Sequence, residues 1–268
     1  MGMDTTINDK QRRFSGLQRL YGDGATARLE QAHVMVAGIG GVGSWTAEAL
    51  ARSGVGELTL IDLDHIAESN VNRQIHALSA TFGQAKIQAM ADRIAGINPD
   101  CRVNLVDDFL GPDNVDTLLQ ARPVSVLVDA TDQVAAKIAM VLASQREQIS
   151  FIMCGGAGGK LDALTLTAGD LSAARNDALL GRIRQQLRKH HGFAKGSDRH
   201  GKALRKAPAM RVFALWFDQP AILPQAWGAP AESGGPQGLS CAGYGSAVTV
   251  TAAMGMAAAG EAIRRILA

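Results

Sequence analysis

The feature that most constrains the fold is a glycine-rich turn, Gly38-Ile-Gly40-Gly41-Val-Gly43, which lies between an apolar run and a helical pattern. Residues 33–38 predict a buried strand, and residues 44–52 predict a helix. Glycines in such a turn let a phosphate group approach backbone N–H groups at the N-terminus of the helix. Asp62 ends the next predicted strand, where its carboxylate can accept hydrogen bonds from ribose hydroxyls. We therefore expect a nucleotide-binding turn, and glycines that serve only helix–sheet packing are the alternative.

Strand and helix patterns alternate along the first 155 residues and predict a Rossmann-like, doubly wound, mainly parallel α/β sheet. The predicted strands are 33–38, 57–62, 102–106, 124–129 and 149–154, and the predicted helices are 44–52, 81–97, 115–120 and 133–147. We expect a helical arm over residues 1–30, a nucleotide-binding core over 31–155 and a C-terminal extension over 156–268 in the same globular unit. The extension is predicted to contain antiparallel strands at 160–167 and 210–217, a helix at 174–190, a long connection at 218–239 and a closing helix of small residues at 241–267.

A polar and cationic cluster follows Asp62, and it favours a nucleotide with several phosphates over a nicotinamide cofactor. The cluster contains Asp64, Ser69, Asn70, Asn72, Arg73, Gln74 and, further on, Lys86. An arginine can bind phosphate oxygens through two parallel hydrogen bonds, and a lysine adds a compact positive charge. The alternatives are a solvated helix position for Lys86 and a nicotinamide dehydrogenase for the whole chain.

Asp132 lies just beyond the fourth predicted strand, on the edge of the sheet where ligands bind. A carboxylate at that edge can hold Mg²⁺ against phosphates. The alternative is that Asp132 only caps the helix predicted to start at residue 133.

Together these motifs resemble the ubiquitin-activating-enzyme-like superfamily, which includes the bacterial ThiF, MoeB and HesA enzymes. The resemblance covers residues 10–155 closely. It implies that Asp62 holds the ribose, that Asn70, Arg73 and Lys86 hold the phosphates, and that Asp132 binds Mg²⁺. It also implies a homodimer in which Arg13 reaches the ATP of the neighbouring subunit. We take Arg13, Arg73, Lys86 and Asp132 as the catalytic candidates, and a surface charge is the alternative for Arg13.

Two departures from that superfamily concern cysteine and charge. The cysteines are Cys101, Cys154 and Cys241, so a four-cysteine zinc site is not expected. Residues 174–211 lack the crossover cysteine of the sulfur-carrier-activating members.

Residues 182–211 carry ten basic residues and one acidic residue, whereas the rest of the chain has 17 basic and 24 acidic residues. Such a segment predicts contact with an RNA backbone, and a solvated surface is the alternative. DNA is not an expected partner. The RNA-binding candidates are Arg182, Arg184, Arg188, Lys189, Lys195, Arg199, Lys202, Arg205 and Lys206, with Arg211 at the end of the run.

These departures, with the segment around Cys241 and the final helix, resemble the branch of the superfamily that dehydrates threonylcarbamoyladenosine beside the tRNA anticodon. The resemblance implies ATP- and Mg²⁺-dependent adenylation of the threonine carboxylate, followed by ring closure with net loss of water. An activator or sulfur-relay partner of a ubiquitin-like sulfur carrier is the alternative. Cys241 is then the candidate sulfur acceptor from a cysteine desulfurase system, and a buried structural thiol is the simpler reading. We expect a cytoplasmic protein, because three widely separated cysteines do not predict a disulfide framework. The long uncharged stretch at 233–260 is too rich in Ala, Gly, Ser and Thr to favour a membrane span.

Overall fold

The protein is built around a seven-stranded sheet. The computed structural model describes residues 9–198, 200, 202, 204–205, 207–223 and 244–268. The strands are β1 His33–Ala37, β2 Glu57–Ile61, β3 Arg102–Val106, β4 Val126–Asp129, β5 Ser150–Cys154, β6 Leu166–Asp170 and β7 Phe213–Phe217. The helices are α1 Asp9–Tyr21, α2 Ala25–Gln31, α3 Gly43–Arg52, α4 Lys86–Ile97, α5 Val115–Gln120, α6 Val134–Arg146, α7 Ala178–His190 and α8 Val248–Leu267.

The strand order is β3-β2-β1-β4-β5-β7-β6, and every neighbouring pair is parallel except β6 with β7. Strand order reverses between β1 and β4, which is where doubly wound sheets bind their ligands. The structure thus confirms the Rossmann-like fold and the antiparallel C-terminal extension.

Helices cover both faces of the sheet, because successive strand residues point to opposite sides. Val34 and Val36 of β1 pack in the cluster that contains residues of α3, α4 and α8. Met35 and Ala37 of the same strand pack in the second cluster, with residues of α5, α6 and α7. Leu179, Leu180, Ile183 and Leu187 are buried on one side of α7, as the helical spacing of its apolar residues predicts.

Two predicted strands lie elsewhere or are shorter than expected. The strand predicted at 160–167 is β6 at Leu166–Asp170. The segment before it is a short 3-10 turn capped by Asp162, and the Lys160 ammonium is bound to the carbonyls of Asn176 and Gln219. The strand predicted at 210–217 begins only at Phe213, because Arg211 has a left-handed backbone with φ of 56°.

Three predicted helices begin later than expected. Helix α4 begins at Lys86 instead of residue 81, because Ala85 is extended and pairs with His65 in an isolated bridge. Helix α7 begins after its capping residue Asp177 instead of at residue 174. Helix α8 begins at Val248, after an extended Ala247, so residues 245–247 of the helix predicted at 241–267 are not helical, and the predicted start at 241 lies outside the described residues. Most of the predicted connection at 218–239, together with residues 240–243, lies outside the described residues. In the described part of the chain, we find no helix both long and apolar enough to cross a membrane.

Candidate active site

A cavity of about 370 Å³ lies at the carboxyl ends of β1, β2, β4 and β5. Nine of the thirteen residues predicted to bind ATP line it: Gly38, Gly40, Gly41, Asp62, Asp64, Arg73, Gln74, Lys86 and Asp132. These residues come from five separate stretches of the chain, and the parallel strands bring them together at one edge of the sheet.

The glycine turn is shaped by two close backbone approaches. Gly38 has φ of 83°, and a Cβ there would lie 2.9 Å from the carbonyl oxygen of Ala130. A Cβ at Gly43 would overlap the carbonyl oxygen of Gly38. Because it has no side chain, Gly43 allows α3 to start against the end of β1. It does not line the cavity. The turn holds the N-terminus of α3 towards the cavity, where it favours a negative charge.

Asp62 and Lys86 form the buried ionic floor of the cavity. Asp62 accepts hydrogen bonds from the backbone N–H groups of Ile39 (2.6 Å) and Asp64 (2.9 Å). The Lys86 ammonium lies 2.6 Å from Asp64 and 3.9 Å from Asp62. Burial raises the pKa of Asp62, and the positive charge of Lys86 opposes that rise. Because Lys86 is only 6% exposed, a solvated helix position for it is wrong.

Arg73 lies over the glycine turn, with its Cγ 3.2 Å from the Cβ position of Gly41. Its guanidinium donates hydrogen bonds to the Ser69 carbonyl (2.7 Å) and the Asn72 side chain (2.9 Å). The Asn70 side-chain oxygen accepts a hydrogen bond from Ala67 N–H. Ser69 and Asn72 therefore hold the Arg73 guanidinium, whereas Asn70 bonds to Ala67. None of the three lines the cavity, and their contact with ATP stays a prediction.

Gln74 lines the cavity, and His76 lies two residues further along the chain. The Gln74 side-chain oxygen and both ring nitrogens of His76 are buried and make no hydrogen bond of good geometry within the described residues. Burial, with the nearby positive charge of Lys86, lowers the pKa of His76 to about 4. The imidazole is therefore neutral at physiological pH.

Asp132 is exposed on the cavity wall, and its side chain makes no hydrogen bond or ion pair within the described residues. Helix α6 begins at Val134, and its cap position is Gln133 without a side-chain cap bond. The interpretation of Asp132 as a helix cap is therefore wrong. A free carboxylate on the wall of this cavity fits Mg²⁺, which takes one or two carboxylates and completes its shell with phosphate oxygens and water.

A buried ion pair supports the loop that carries Asp132. Asp129 and Lys137 are both fully buried, and their charged groups lie 3.0 Å apart. Lys137 also donates a hydrogen bond of 2.7 Å to the Cys154 carbonyl, and Asp129 accepts from the backbone N–H and hydroxyl of Thr131. This pair ties the ends of β4 and β5 together below the cavity.

Sequence reasoning missed several walls of the cavity. Residues that no motif marked are Phe109, Leu110, Gln133, Ala136, Gly155, Gly156, Ala157, Leu179 and Thr251. Gly155 to Ala157 follow β5, so their position after a predicted strand was a usable signal. Leu179 and Thr251 come from α7 and α8, and no local pattern shows that these helices return to the cavity.

Arg13 lies away from the cavity of its own chain. Its guanidinium donates a hydrogen bond of 3.1 Å to the Ile97 carbonyl at the C-terminal end of α4. Lys86 is at the opposite end of that twelve-residue helix, roughly 17 Å along its axis. A role for Arg13 in a neighbouring subunit stays a prediction.

The described members of the basic run fall into two groups. Arg182, Lys189, Lys195, Lys202, Arg205 and Arg211 are exposed, whereas Arg184 and Arg188 are partly buried. Arg184 donates hydrogen bonds to the carbonyls of Leu171 and Ala174, and burial lowers its pKa. Arg199, Lys206 and Cys241 lie outside the described residues.

A second cavity, of about 620 Å³, lies at the opposite edge of the sheet. Its walls include Arg211, Phe213 and Arg265, and the Arg265 guanidinium stacks 4.6 Å from the centre of the Phe213 ring. None of the predicted ATP-binding residues lines it. We therefore assign nucleotide binding to the smaller cavity.

The fold and the smaller cavity define a nucleotide-binding α/β protein whose site meets at the β1–β4 switch point. Residues 12–268 match the model of the ThiF family, and the chain belongs to that family. The chain is 40% identical over 262 residues to a tRNA threonylcarbamoyladenosine dehydratase of Haemophilus influenzae, covering 97% of this chain and 95% of that protein. It is also 40% identical over 272 residues to the Escherichia coli protein of the same name, covering 99% and 98%. The crystal structure of the Escherichia coli tRNA N6-threonylcarbamoyladenosine dehydratase in complex with ATP matches with a TM-score of 0.82 and 37% identity, over 97% and 96% of the two chains.

Proposed function

We propose that the protein uses ATP and Mg²⁺ to adenylate the threonine carboxylate of threonylcarbamoyladenosine in tRNA, and that ring closure with net loss of water follows. The observation that carries this proposal is the similarity to two dehydratases over almost the whole chain, including the C-terminal extension. The geometry agrees, because the cavity combines a phosphate-binding turn, two cationic side chains and a free carboxylate.

Each group in the cavity has a proposed task. Asp62 accepts hydrogen bonds from the ribose, the turn at Gly38 to Gly41 receives phosphate oxygens, and Arg73 and Lys86 neutralise phosphate charge. Asp132 would hold Mg²⁺, which supplies further neutralisation of the phosphates when it is bound. The contacts of Asp62 with Ile39 N–H and of Lys86 with Asp64 fix both groups before the nucleotide arrives.

The proposed chemistry solves the problem that a carboxylate is a poor electrophile. A carboxylate oxygen attacks the α-phosphorus of ATP, which forms an acyl adenylate and releases pyrophosphate. The neighbouring carbamoyl group then attacks the acyl carbon, the ring closes with loss of a proton, and AMP leaves. Charge that develops during phosphoryl transfer is stabilised by preorganised cations. Ring closure is intramolecular, so it needs proximity but no enzyme nucleophile.

Substitutions in the cavity test these roles. We expect Arg73→Ala and Asp132→Ala each to lower tRNA-dependent pyrophosphate release by roughly 10²-fold or more, because each removes a group that acts on the phosphates. Arg122→Ala and Asp92→Ala are the matched controls, since both side chains are exposed and neither lines the cavity. Folded Arg73→Ala or Asp132→Ala protein with wild-type turnover would contradict the assignment.

The exposed cations of α7 are the proposed RNA contacts. Arg182 and Lys189 are seven residues apart, almost two full turns, so they share one face of the helix. Leu179, in the first turn of α7, lines the cavity. A substrate whose backbone follows this face could therefore reach the cavity with its base, because Lys189 lies about 15 Å along the axis from Leu179. Lys195, Lys202 and Arg205 extend the exposed positive surface. Arg199 and Lys206, which lie outside the described residues, are proposed to contact RNA as well.

The protein is further proposed to act as a homodimer in the cytoplasm, where its tRNA substrate is found. A sulfur relay through Cys241 is not needed for this chemistry, because no bond to sulfur forms or breaks. We therefore expect the enzyme to work without a desulfurase partner.

A further inference from the structure

Asp177 uses its two carboxylate oxygens in two different directions. One oxygen accepts a hydrogen bond of 2.9 Å from Leu180 N–H and so caps the N-terminus of α7. The other accepts a hydrogen bond of 2.8 Å from Gly156 N–H, which belongs to the segment that follows β5. A helix cap needs only the first of these bonds. The second links the start of α7 to the segment that follows β5.

The second bond fixes a wall of the nucleotide cavity. Gly155 and Gly156 both line the cavity, next to Leu179 of α7. A Cβ at Gly155 would overlap the Asp177 carboxylate, so only glycine allows the carboxylate to approach. Gly155 N–H is held from the other side by the Leu215 carbonyl at 2.8 Å. The wall is therefore clamped between β7 and the start of α7.

A buried lysine holds the backbone next to Asp177, and so supports the joint that Asp177 forms between Gly156 and the start of α7. Lys160, which is 3% exposed, donates a hydrogen bond to the Asn176 carbonyl next to Asp177 in the chain. Burial raises the pKa of Asp177, while the bonds from Leu180 and Gly156 and the charges of Lys160 and Lys137 oppose the rise. The two hydrogen bonds and the two ammonium groups thus offset part of the cost of burying this carboxylate.

We propose that Asp177 is a positioning residue that holds the Gly155–Gly156 wall of the cavity in register with the RNA-binding helix α7. This inference rests on the proposed function, because it assumes that the tRNA backbone lies along the exposed face of α7. The joint then sets the distance between the bound backbone and the α-phosphate of ATP. A misplacement of about 1 Å between reacting groups can lower a rate by roughly 10²-fold.

Replacement of Asp177 by serine separates its two bonds. Serine is a good helix cap but has one short side-chain oxygen, so it can bond to the first turn of α7 and leaves Gly156 N–H without its partner. We expect Asp177→Ser to keep the dissociation constants of ATP and tRNA within about twofold, because the phosphate-binding groups and the α7 cations are unchanged. We expect kcat to fall by at least about tenfold, because the reacting groups are no longer aligned.

Asp170→Ser is the matched control. Asp170 also caps a short helical turn, through Ser172 N–H, and also accepts a second bond from a distant backbone N–H, that of Met210. It lies at the opposite edge of the sheet from the nucleotide cavity. Both bonds reach the same oxygen of Asp170, and the shorter serine side chain moves that acceptor. We expect this variant to lose some stability and to keep the wild-type kcat.

The experiment measures single-turnover and steady-state cyclisation of tRNA, with ATP and tRNA affinities measured separately by equilibrium titration. A folded Asp177→Ser protein with wild-type kcat would overturn the inference, and so would a loss confined to the two affinities. If Asp177→Ser does not fold, Asp177→Asn takes its place, because one of the two accepting oxygens becomes an NH2 group, which cannot accept from Gly156 N–H or Leu180 N–H. Full activity of that variant would overturn the inference. Wild-type protein that shows no tRNA-dependent turnover would instead refute the proposed function.

Discussion

Removal of the Lys137 charge tests how the buried ion pair supports the cavity. In Lys137→Met the fully buried Asp129 carboxylate loses the ammonium 3.0 Å away, and the Cys154 carbonyl loses its donor. Breaking a buried pair on one side costs about 3–5 kcal/mol, because an uncompensated charge stays in the interior. The free energy of unfolding of a whole domain is only about 5–15 kcal/mol. Lys137→Met keeps the length of the side chain almost unchanged. We therefore expect it to lose a large part of the free energy of unfolding through the missing charge.

The double variant Asp129→Asn with Lys137→Met separates charge from packing. It removes both charges from the interior, so we expect it to recover most of the stability lost in Lys137→Met, since neutral replacements of buried pairs are often tolerated. Lys195→Met is the control, because Lys195 is exposed and its replacement should change stability by no more than about 0.5 kcal/mol.

Urea unfolding, followed by circular dichroism, measures these differences as shifts of the midpoint at constant slope. A loss of less than about 1 kcal/mol in Lys137→Met would refute the view that the pair compensates a buried charge. A double variant as unstable as Lys137→Met would also refute it, because the loss would then come from packing.

Three further predictions concern RNA, the dimer and pH. Replacement of both Arg182 and Lys189 by alanine should weaken tRNA binding and reduce the slope of log affinity against log salt by roughly 1.4–1.8, since each phosphate contact contributes about 0.7–0.9. Mixing Arg13→Ala and Arg73→Ala chains should restore part of the activity that each variant lacks alone, because one site of a mixed dimer would have both arginines intact. His76 should make the protein acid-sensitive. Its folded pKa of about 4 lies below the unfolded value near 6.5. The unfolded chain therefore takes up a proton first as the pH falls below about 6.5, and the folded state loses stability relative to it. The wild type should therefore lose roughly 2 kcal/mol more than His76→Asn between pH 7 and pH 5.

Each of these experiments has a control or an outcome that would contradict it. Arg264→Ala, an exposed arginine on α8, should leave the salt slope of tRNA binding unchanged, and an unchanged slope after loss of Arg182 and Lys189 would show that their face is only solvated. Mixed dimers without any recovered activity would mean that Arg13 does not act across subunits. Equal pH dependence of unfolding in wild type and His76→Asn would contradict a buried neutral imidazole.

The strands and helices that could be predicted from sequence are those whose signals are local. The core strands and the glycine turn were predicted to within two residues, because apolar runs and glycines mark them directly. Strand β6 was misplaced because its position depends on antiparallel pairing with β7, and that register is set by tertiary contacts. The start of α4 was misplaced for a similar reason, because Ala85 is held extended by its pairing with His65.

The same distinction applies to the cavity. Arg73, Lys86 and Asp132 could be predicted because each follows a strand or begins a helix at the ligand-binding edge. The buried partners of these groups could not be predicted, since nothing in the sequence shows that Lys137 pairs with Asp129 or that Asp177 reaches Gly156. Those contacts join residues from different elements and exist only in the folded chain.

The most direct test of the central claim is mass spectrometry of tRNA nucleosides after incubation with the protein, ATP and Mg²⁺. The account predicts that threonylcarbamoyladenosine is converted to a product lighter by one water, with one pyrophosphate and one AMP formed per modified nucleoside. The claim would be contradicted if the nucleoside kept its mass under conditions in which the protein binds both ATP and tRNA.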